Sequence, residues 1–192
     1  MTGDPHSTIR IPPQNIEAEI STLGALMLDK EAIYRVADAL ISEDFYKPAH
    51  REIYDTMVDL FTRKEPIDVL SVSSRLREKG KLEEIGGSSY LATLVNAVPT
   101  ASHIEHYATI VRKKRLLRDL IGASQHIAQL GYQEADDVAS LIDEAEQKIF
   151  GVAKDSLRQE FWAVRDALEE AWERIDRIHR DRGALRGVPT GF

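Results

Sequence analysis

Residues 102–132 read SHIEHYATIVRKKRLLRDLIGASQHIAQLGY, and apolar residues recur along this stretch every three or four positions. That spacing is typical of one face of a helix. Pro99 disfavours helical backbone at Val98, and Ser102 with Glu105 gives the Ser-x-x-Glu pattern of a capping box. The stretch therefore predicts a helix that begins near Ser102 and is about 45 Å long at about 1.5 Å per residue.

A second helix is predicted over residues 136–153, where the apolar positions step by four, three, four and three. These positions are Val138, Ile142, Ala145, Ile149 and Val152. The connection between the two helices is short, so they form an antiparallel hairpin over residues 102–153. Because the first arm is longer than a small domain is wide, we expect the hairpin tip to protrude and to contact another molecule.

Composition excludes several classes of protein. The 192 residues carry a net charge of −7, which argues against a nucleic-acid binder driven by bulk charge. The absence of cysteine excludes disulfides, thiolate zinc sites and cysteine nucleophiles. No segment resembles a signal peptide or reaches the roughly 20 apolar residues of a membrane span. We therefore expect a cytoplasmic protein that does not contact membranes.

Residues 11–101 predict a compact bundle of about five short helices. Asn15 and Asp68 are expected helix N-caps, Pro48 occupies a first helical position, and Gly80 follows a helix end. No segment alternates with the period of a strand. The sequence thus predicts an all-α fold, a helical bundle followed by the hairpin, with residues 1–10 as a disordered tail.

Beyond the hairpin the character of the sequence changes. Residues 154–159 are polar and predict a hinge, and residues 160–182 predict an amphipathic helix. Its apolar stripe comprises Phe161, Val164, Leu168, Ala171, Ile175 and Ile178, and is flanked by Trp162 and Trp172. Residues 183–192 form a turn-rich coil that does not cover this stripe, so we expect the stripe to dock on another subunit or domain.

One dense basic cluster interrupts the apolar pattern of the first hairpin arm. It comprises Arg112, Lys113, Lys114, Arg115 and Arg118. Five charges on a helix without interleaved aromatic residues are more often a solvated face than a phosphate-binding patch. The alternative hypothesis is a stand-alone helical DNA-binding protein that uses this cluster.

The sequence contains no pattern typical of a catalytic, cofactor-binding or metal site. His103 and His106 have a spacing that permits a shared metal, but no third ligand accompanies them, and surface histidines are the favoured interpretation. Tyr90 and Tyr107 are either core residues with satisfied hydroxyls or interface anchors.

Three stretches together carry a family resemblance. They are IPPQNIEAE at 11–19 continuing to LGALMLD at 23–29, DFYKPAHREIY at 44–54, and LEEIGGSSYL at 82–91 with AVPTA at 97–101. In this order and spacing they resemble the N-terminal part of the bacterial replicative DNA helicases of the DnaB family. The final GVPTGF at 187–192 resembles the family's lead-in to a RecA-type ATPase domain, which is then expected beyond Phe192.

The resemblance implies a role in DNA replication. The parent is expected to be an ATP-dependent 5′–3′ helicase that uses ATP and magnesium, whereas this part needs no cofactor and is inactive alone. Hairpins are expected to pair into dimers, and three dimers to form a hexameric ring around single-stranded DNA. The collar recruits primase in the primosome, a helicase loader binds the motor side, and the linker helix docks on the ATPase domain of the neighbouring subunit.

The resemblance also implies roles for particular residues. The expected primase contacts are Glu17, Tyr90, Tyr107, Ile121 and Ile127. The expected hairpin dimer interface comprises Ile104, Tyr107, Val111, Val138, Ile142 and Ile149. Linker-helix docking is expected of Phe161, Val164, Leu168, Trp172, Ile175 and Ile178.

Overall fold

The computed structural model describes residues 11–132 and 137–157, together with residues 172 and 176. The described residues contain seven α-helices, one 3-10 turn and no strand, which confirms the all-α prediction. The helices are α1 Ile16–Leu28, α2 Ala32–Val36, α3 Pro48–Thr62, α4 Val69–Glu78, α5 Gly87–Asn96, α6 Ile104–Leu130 and α7 Val138–Leu157, and the 3-10 turn is Ser42–Asp44.

Most predicted helix boundaries are confirmed. The side chain of Asn15 accepts the N–H of Ala18 at 3.0 Å and caps α1, and Asp68 caps α4 in the same way. Pro48 lies in the first turn of α3. Gly80 follows α4 with a φ of 68°, a left-handed conformation that glycine adopts without the steric cost of a Cβ.

The predicted capping box at the start of α6 is wrong. The helix begins at Ile104 after His103, and no side chain caps it. The Ser102 hydroxyl instead lies 2.8 Å from that of Thr100, which also accepts the Ser102 N–H at 3.2 Å. Ser102 thus completes a turn before the helix, and its oxygen is not directed at the first helical amides.

The hydrophobic core lies among α1 to α5 and the first turns of α6, a unit that we call the head. Its fully buried side chains include Leu23, Leu26, Ile33, Phe45, Ile53, Tyr54, Met57, Leu76, Leu91 and Leu94. Helices α1 and α5 approach each other closely at Gly24, where a Cβ would lie 2.2 Å from the Leu94 carbonyl oxygen. A glycine is therefore required at this crossing.

The boundary predicted between the head and the hairpin has to be corrected. Ile104, Ala108 and Val111 are all buried in the head core, so the first turns of α6 belong to the head rather than to a free arm. Farther along α6, Ala123 and Leu130 are its buried residues. The exposed hairpin therefore comprises α6 beyond about residue 112 and α7 packed against it.

The second arm is longer than the sequence predicts. Helix α7 continues to Leu157, so the first residues of the predicted 154–159 hinge are helical. The chain divides into two compact units, Met1–Arg158 and Gln159–Phe192. The predicted tail 1–10, most of the predicted helix 160–182 and the coil 183–192 lie outside the described residues. Within the described part of the chain, no helix is long and apolar enough to cross a membrane.

Candidate functional site: the hairpin and the adjoining face of the head

The basic cluster of α6 joins the hairpin to the head. Arg112, which is buried, donates to the carbonyl oxygen of Ala39 at 3.0 Å. Arg118 donates to the carbonyl oxygens of Pro13 at 3.0 Å and Asp44 at 2.7 Å. Burial lowers the pKa of Arg118, and its guanidinium lies 5.7 Å from the ring centroid of Tyr46. Arg112 and Arg118 therefore hold the first hairpin arm against the head.

Arg115 also stabilises the fold, in this case by contacts with two carboxylates. Its guanidinium lies 3.0 Å from the Asp119 carboxylate and 3.5 Å from that of Asp44. Asp44 is buried and also accepts the Ile41 N–H at 2.7 Å. Burial raises the pKa of Asp44 above its ordinary value of 3.8, and the Ile41 hydrogen bond and the nearby arginines only partly offset that effect.

The five basic residues therefore do not form one phosphate-binding surface. Three of them contact carbonyls or carboxylates of the chain itself, and Lys113 lies beside an apolar groove. These contacts weaken the hypothesis of a DNA-binding protein that uses this cluster, because the three guanidinium groups already bind oxygens of the chain itself.

The outer surface of the hairpin is unusually apolar. Its exposed large side chains are Leu117, Leu120, Ile121, Tyr132, Val138, Ile142, Ile149 and Phe150. The Phe150 side chain, for example, is 69% exposed. Exposed apolar side chains that are contiguous and not scattered are characteristic of interaction surfaces.

Two grooves run along this surface between α6 and α7. One has a volume of about 720 Å³ and is lined by Ile127, Ile149 and Phe150, with Asp143 and Glu146 at its rim. The other, of about 490 Å³, is lined by Leu117 and Leu120 beside Lys113. Both grooves include Ile149 and Ala153, so they form one surface. We call Leu117, Leu120, Ile127, Ile149, Phe150 and Ala153 the apolar hairpin face.

The predicted dimer-interface residues fall into three groups. Ile104 is fully buried and Val111 is 1% exposed, both in the core of the head, so their assignment to an interface has to be corrected: the chain itself encloses them. Tyr107 is half-buried. The exposed Val138, Ile142 and Ile149 of α7 remain predicted interface residues; these three lie on the hairpin, 44% to 62% exposed.

The predicted primase contacts are distributed over three helices. Glu17 is exposed in the first turn of α1, and Tyr90 is half-buried on α5. Tyr107, Ile121 and Ile127 lie on α6, and the 20 residues between the first and last of these span about 30 Å of helix. One small pocket cannot contain all five, so any partner that touches them must cover both the head and the hairpin.

A buried chain of hydrogen bonds ends at Tyr90, and sequence analysis missed it. The carboxylate of Glu19 lies 2.6 Å from Nδ1 of His50, and Nε2 of His50 lies 2.7 Å from the Tyr90 hydroxyl. The His50 and Tyr90 rings stack with their centroids 6.1 Å apart. The spacing of Glu19 from Ile16 and Leu23 is the one sequence signal that could have placed it on the inward face of α1, where it is buried.

The remaining candidates are a metal site and the predicted linker-helix docking residues. Among the described residues no group of three or more His, Cys, Asp or Glu side chains is arranged to hold a metal ion. Of the predicted linker-helix docking residues, Trp172 alone lies among the described residues, where it is helical and 73% exposed. Phe161, Val164, Leu168, Ile175 and Ile178 lie outside them.

Residues 11–113 match the family model of the DnaB-like helicase N terminal domain, a match that covers more than half of the chain. The chain belongs to this family.

Curated relatives agree with this assignment. Replicative DNA helicase DnaC of Bacillus subtilis is 44% identical over 183 residues, covering 95% of this chain and 40% of the relative. Replicative DNA helicase DnaB of Mycobacterium leprae is 43% identical over 185 residues, covering 95% of this chain and 31% of the relative. The chain thus spans less than half the length of these relatives.

Solved structures match as well. The crystal structure of the N-terminal domain of DnaB helicase from Mycobacterium tuberculosis has a TM-score of 0.71 at 44% identity, covering 73% of this chain and 99% of that one. A DnaB-like replicative helicase, described with its interactions with primase, has a TM-score of 0.66 at 26% identity, covering 93% of this chain and 38% of that one.

Proposed function

We propose that this chain is the collar and linker region of a hexameric replicative DNA helicase, and that the apolar hairpin face joins subunits. The observation that carries the proposal is the pair of grooves that share Ile149 and Ala153. A face of this kind is costly to leave in water, at roughly 25 cal/mol per Å² of apolar surface. A second hairpin covers it in a dimer, and three dimers close a ring.

Charges at the rim favour a pairing of two copies. Lys113 lies at one end of the face, and Asp143 and Glu146 lie toward the other. A two-fold axis pairs a surface patch with itself. When two hairpins pack in opposite directions, Lys113 of one copy approaches the acidic rim of its partner, which favours this register over a parallel one.

Site-directed cross-linking tests this pairing directly, because the chain contains no cysteine of its own. The Phe150→Cys variant, treated with a short bis-maleimide, is expected to give a covalent dimer. Leu70→Cys is the matched control, since Leu70 is also a largely exposed apolar residue, on α4 of the head. Equal cross-linking of both variants, or of neither, would contradict the proposed face.

The second part of the proposal is recruitment of primase by the collar in the primosome. It is supported by the relative described together with primase and by the exposed positions of Glu17 and Ile121. Titration of the chain with the primase of the same organism is expected to detect binding. Ile121→Ala is expected to lower the affinity about tenfold, the usual cost of a truncated interface anchor. Leu70→Ala, on α4, is the control.

The activity of the whole protein follows the same proposal. The parent uses ATP and magnesium to unwind DNA 5′–3′ in the cytoplasm, single-stranded DNA passes through its ring, and a loader binds the motor side. The linker helix docks on the ATPase domain of the adjacent subunit. The chain by itself is expected neither to bind ATP at micromolar concentration nor to unwind DNA, and a nucleotide titration with measurable affinity would contradict this.

A further inference from the structure

Three helices of the head contribute one residue each to a hydrogen-bond chain that leads from two buried residues to a half-buried one. Glu19 of α1 is 1% exposed and His50 of α3 is fully buried, whereas Tyr90 of α5 is half-buried. Two buried ionisable groups are costly in a small core unless every polar atom is paired. Here they lead to one hydroxyl on a residue that the family resemblance gives as an expected primase contact.

The backbone sets the direction of this chain. The Glu19 carboxylate accepts the N–H of Tyr46 at 2.7 Å and that of Lys47 at 3.4 Å. A group that receives backbone donors is an acceptor, so the atom of His50 that faces it, Nδ1, carries the proton. In the neutral form of His50 this is the only ring N–H, and Nε2 is an acceptor. In that form the Tyr90 O–H donates inward to Nε2.

We infer that Glu19 and His50 are positioning residues that hold the Tyr90 hydroxyl as a hydrogen-bond acceptor for a donor group of the partner. Tyrosine has a single hydroxyl hydrogen, and here it is directed at His50. The oxygen then offers only lone pairs to a bound protein. The matching group is an N–H donor, such as a backbone amide, a lysine or an arginine. This inference rests on the proposed function, in which the collar recruits primase, and on the expected contact at Tyr90.

The substitution Glu19→Gln reverses the direction of these hydrogen bonds without removing a heavy atom. In Glu19→Gln the amide oxygen still accepts the Tyr46 N–H, and the amide nitrogen faces Nδ1 of His50. Nδ1 must then accept, the proton moves to Nε2, and Nε2 donates to the Tyr90 oxygen. The Tyr90 hydrogen is released toward the partner, where it meets another donor.

Nitrogen-15 NMR of the histidine side chains at neutral pH tests the direction without any partner. The wild-type chain is expected to have protonated Nδ1 and unprotonated Nε2 at His50, and Glu19→Gln is expected to have the reverse. The His50 signal is identified by its loss in His50→Asn. A proton on Nε2 in the wild-type chain, or the same tautomer in both proteins, would overturn the inference.

Primase titration tests the consequence. Tyr90→Phe and Glu19→Gln are each expected to weaken binding about tenfold, and Tyr34→Phe, on the exposed Tyr34 of α2, is expected to have no effect. Tyr90→Phe removes one oxygen and leaves Glu19 and His50 paired, so it keeps the test valid if Glu19→Gln unfolds. Unchanged affinity of Tyr90→Phe overturns the acceptor role while primase binding stands. If wild-type chain does not bind primase, the proposed function and the acceptor role both fail, and the tautomer still decides the direction of the chain.

Discussion

Arg118 of α6 donates to the carbonyl oxygen of Asp44 at 2.7 Å, across 74 residues of sequence. The same guanidinium donates to the carbonyl oxygen of Pro13. Two segments of the head therefore converge on one side chain of the hairpin arm. This contact ties the first hairpin arm to the head, just beyond the point where α6 leaves the core.

Replacement of Arg118 by methionine is expected to destabilise the chain by about 1–3 kcal/mol. The variant keeps most of the apolar stem but leaves partly buried carbonyl oxygens without their donor. Urea unfolding measures the free energy, and amide exchange along α6 reports where it is lost. Gln125→Met, at an exposed position of the same helix, is the control, and equal losses in both variants would contradict the role given to Arg118.

Alanine substitution is expected to change the stability of the chain in opposite directions at two helical glycines. At Gly24 a Cβ would lie 2.2 Å from the Leu94 carbonyl oxygen, so Gly24→Ala should push α1 from α5 and cost about 1–3 kcal/mol, as overpacking does. At Gly122 a Cβ meets no atom within 4 Å. Gly122→Ala should therefore stabilise α6 by about 0.5–1 kcal/mol. Thermal unfolding of both variants gives the comparison, and a shift of the same sign in each would contradict it.

Asp44 is expected to make stability depend on pH. Burial raises its folded pKa above the ordinary 3.8, so between these two values the folded chain binds more protons at Asp44 than the unfolded chain does. The free energy of unfolding therefore falls as pH rises through this interval. Asp44→Asn removes the titration. The stability of the wild-type chain relative to this variant should decrease from about pH 3 upward, measured by urea unfolding across pH; a rise with pH would contradict the assignment.

Local signals in the sequence predicted much of the fold. Asn15, Pro48 and Asp68 mark helix starts through interactions within four residues, which a sequence displays directly. The capping prediction at Ser102 was wrong because the Ser102 hydroxyl pairs with the nearby Thr100 hydroxyl and not with the first helical amides. The family resemblance, carried by stretches such as residues 44–54, identified the class of protein without any knowledge of the fold.

Contacts between distant segments were the part that the sequence did not reveal. Arg112, Arg115 and Arg118 look like a surface patch until their partners at residues 39 to 44 are known. The pairing of Glu19 with His50 spans 31 residues and depends on how α1 crosses α3. Periodicity marked Ile104 and Val111 as apolar, but could not distinguish the chain's own core from an interface between subunits.

Mass measurement by light scattering tests the central claim most directly, namely that the apolar hairpin face joins subunits. The wild-type chain is expected to have a mass of at least twice its 21.6 kDa. Ile149→Asp should give the monomer, because it puts a charge into a surface that must lose its water on pairing. Leu70→Asp, on α4 of the head, should retain the wild-type mass. A monomeric wild-type chain, or an Ile149→Asp variant that still associates at the same concentration, would contradict the account.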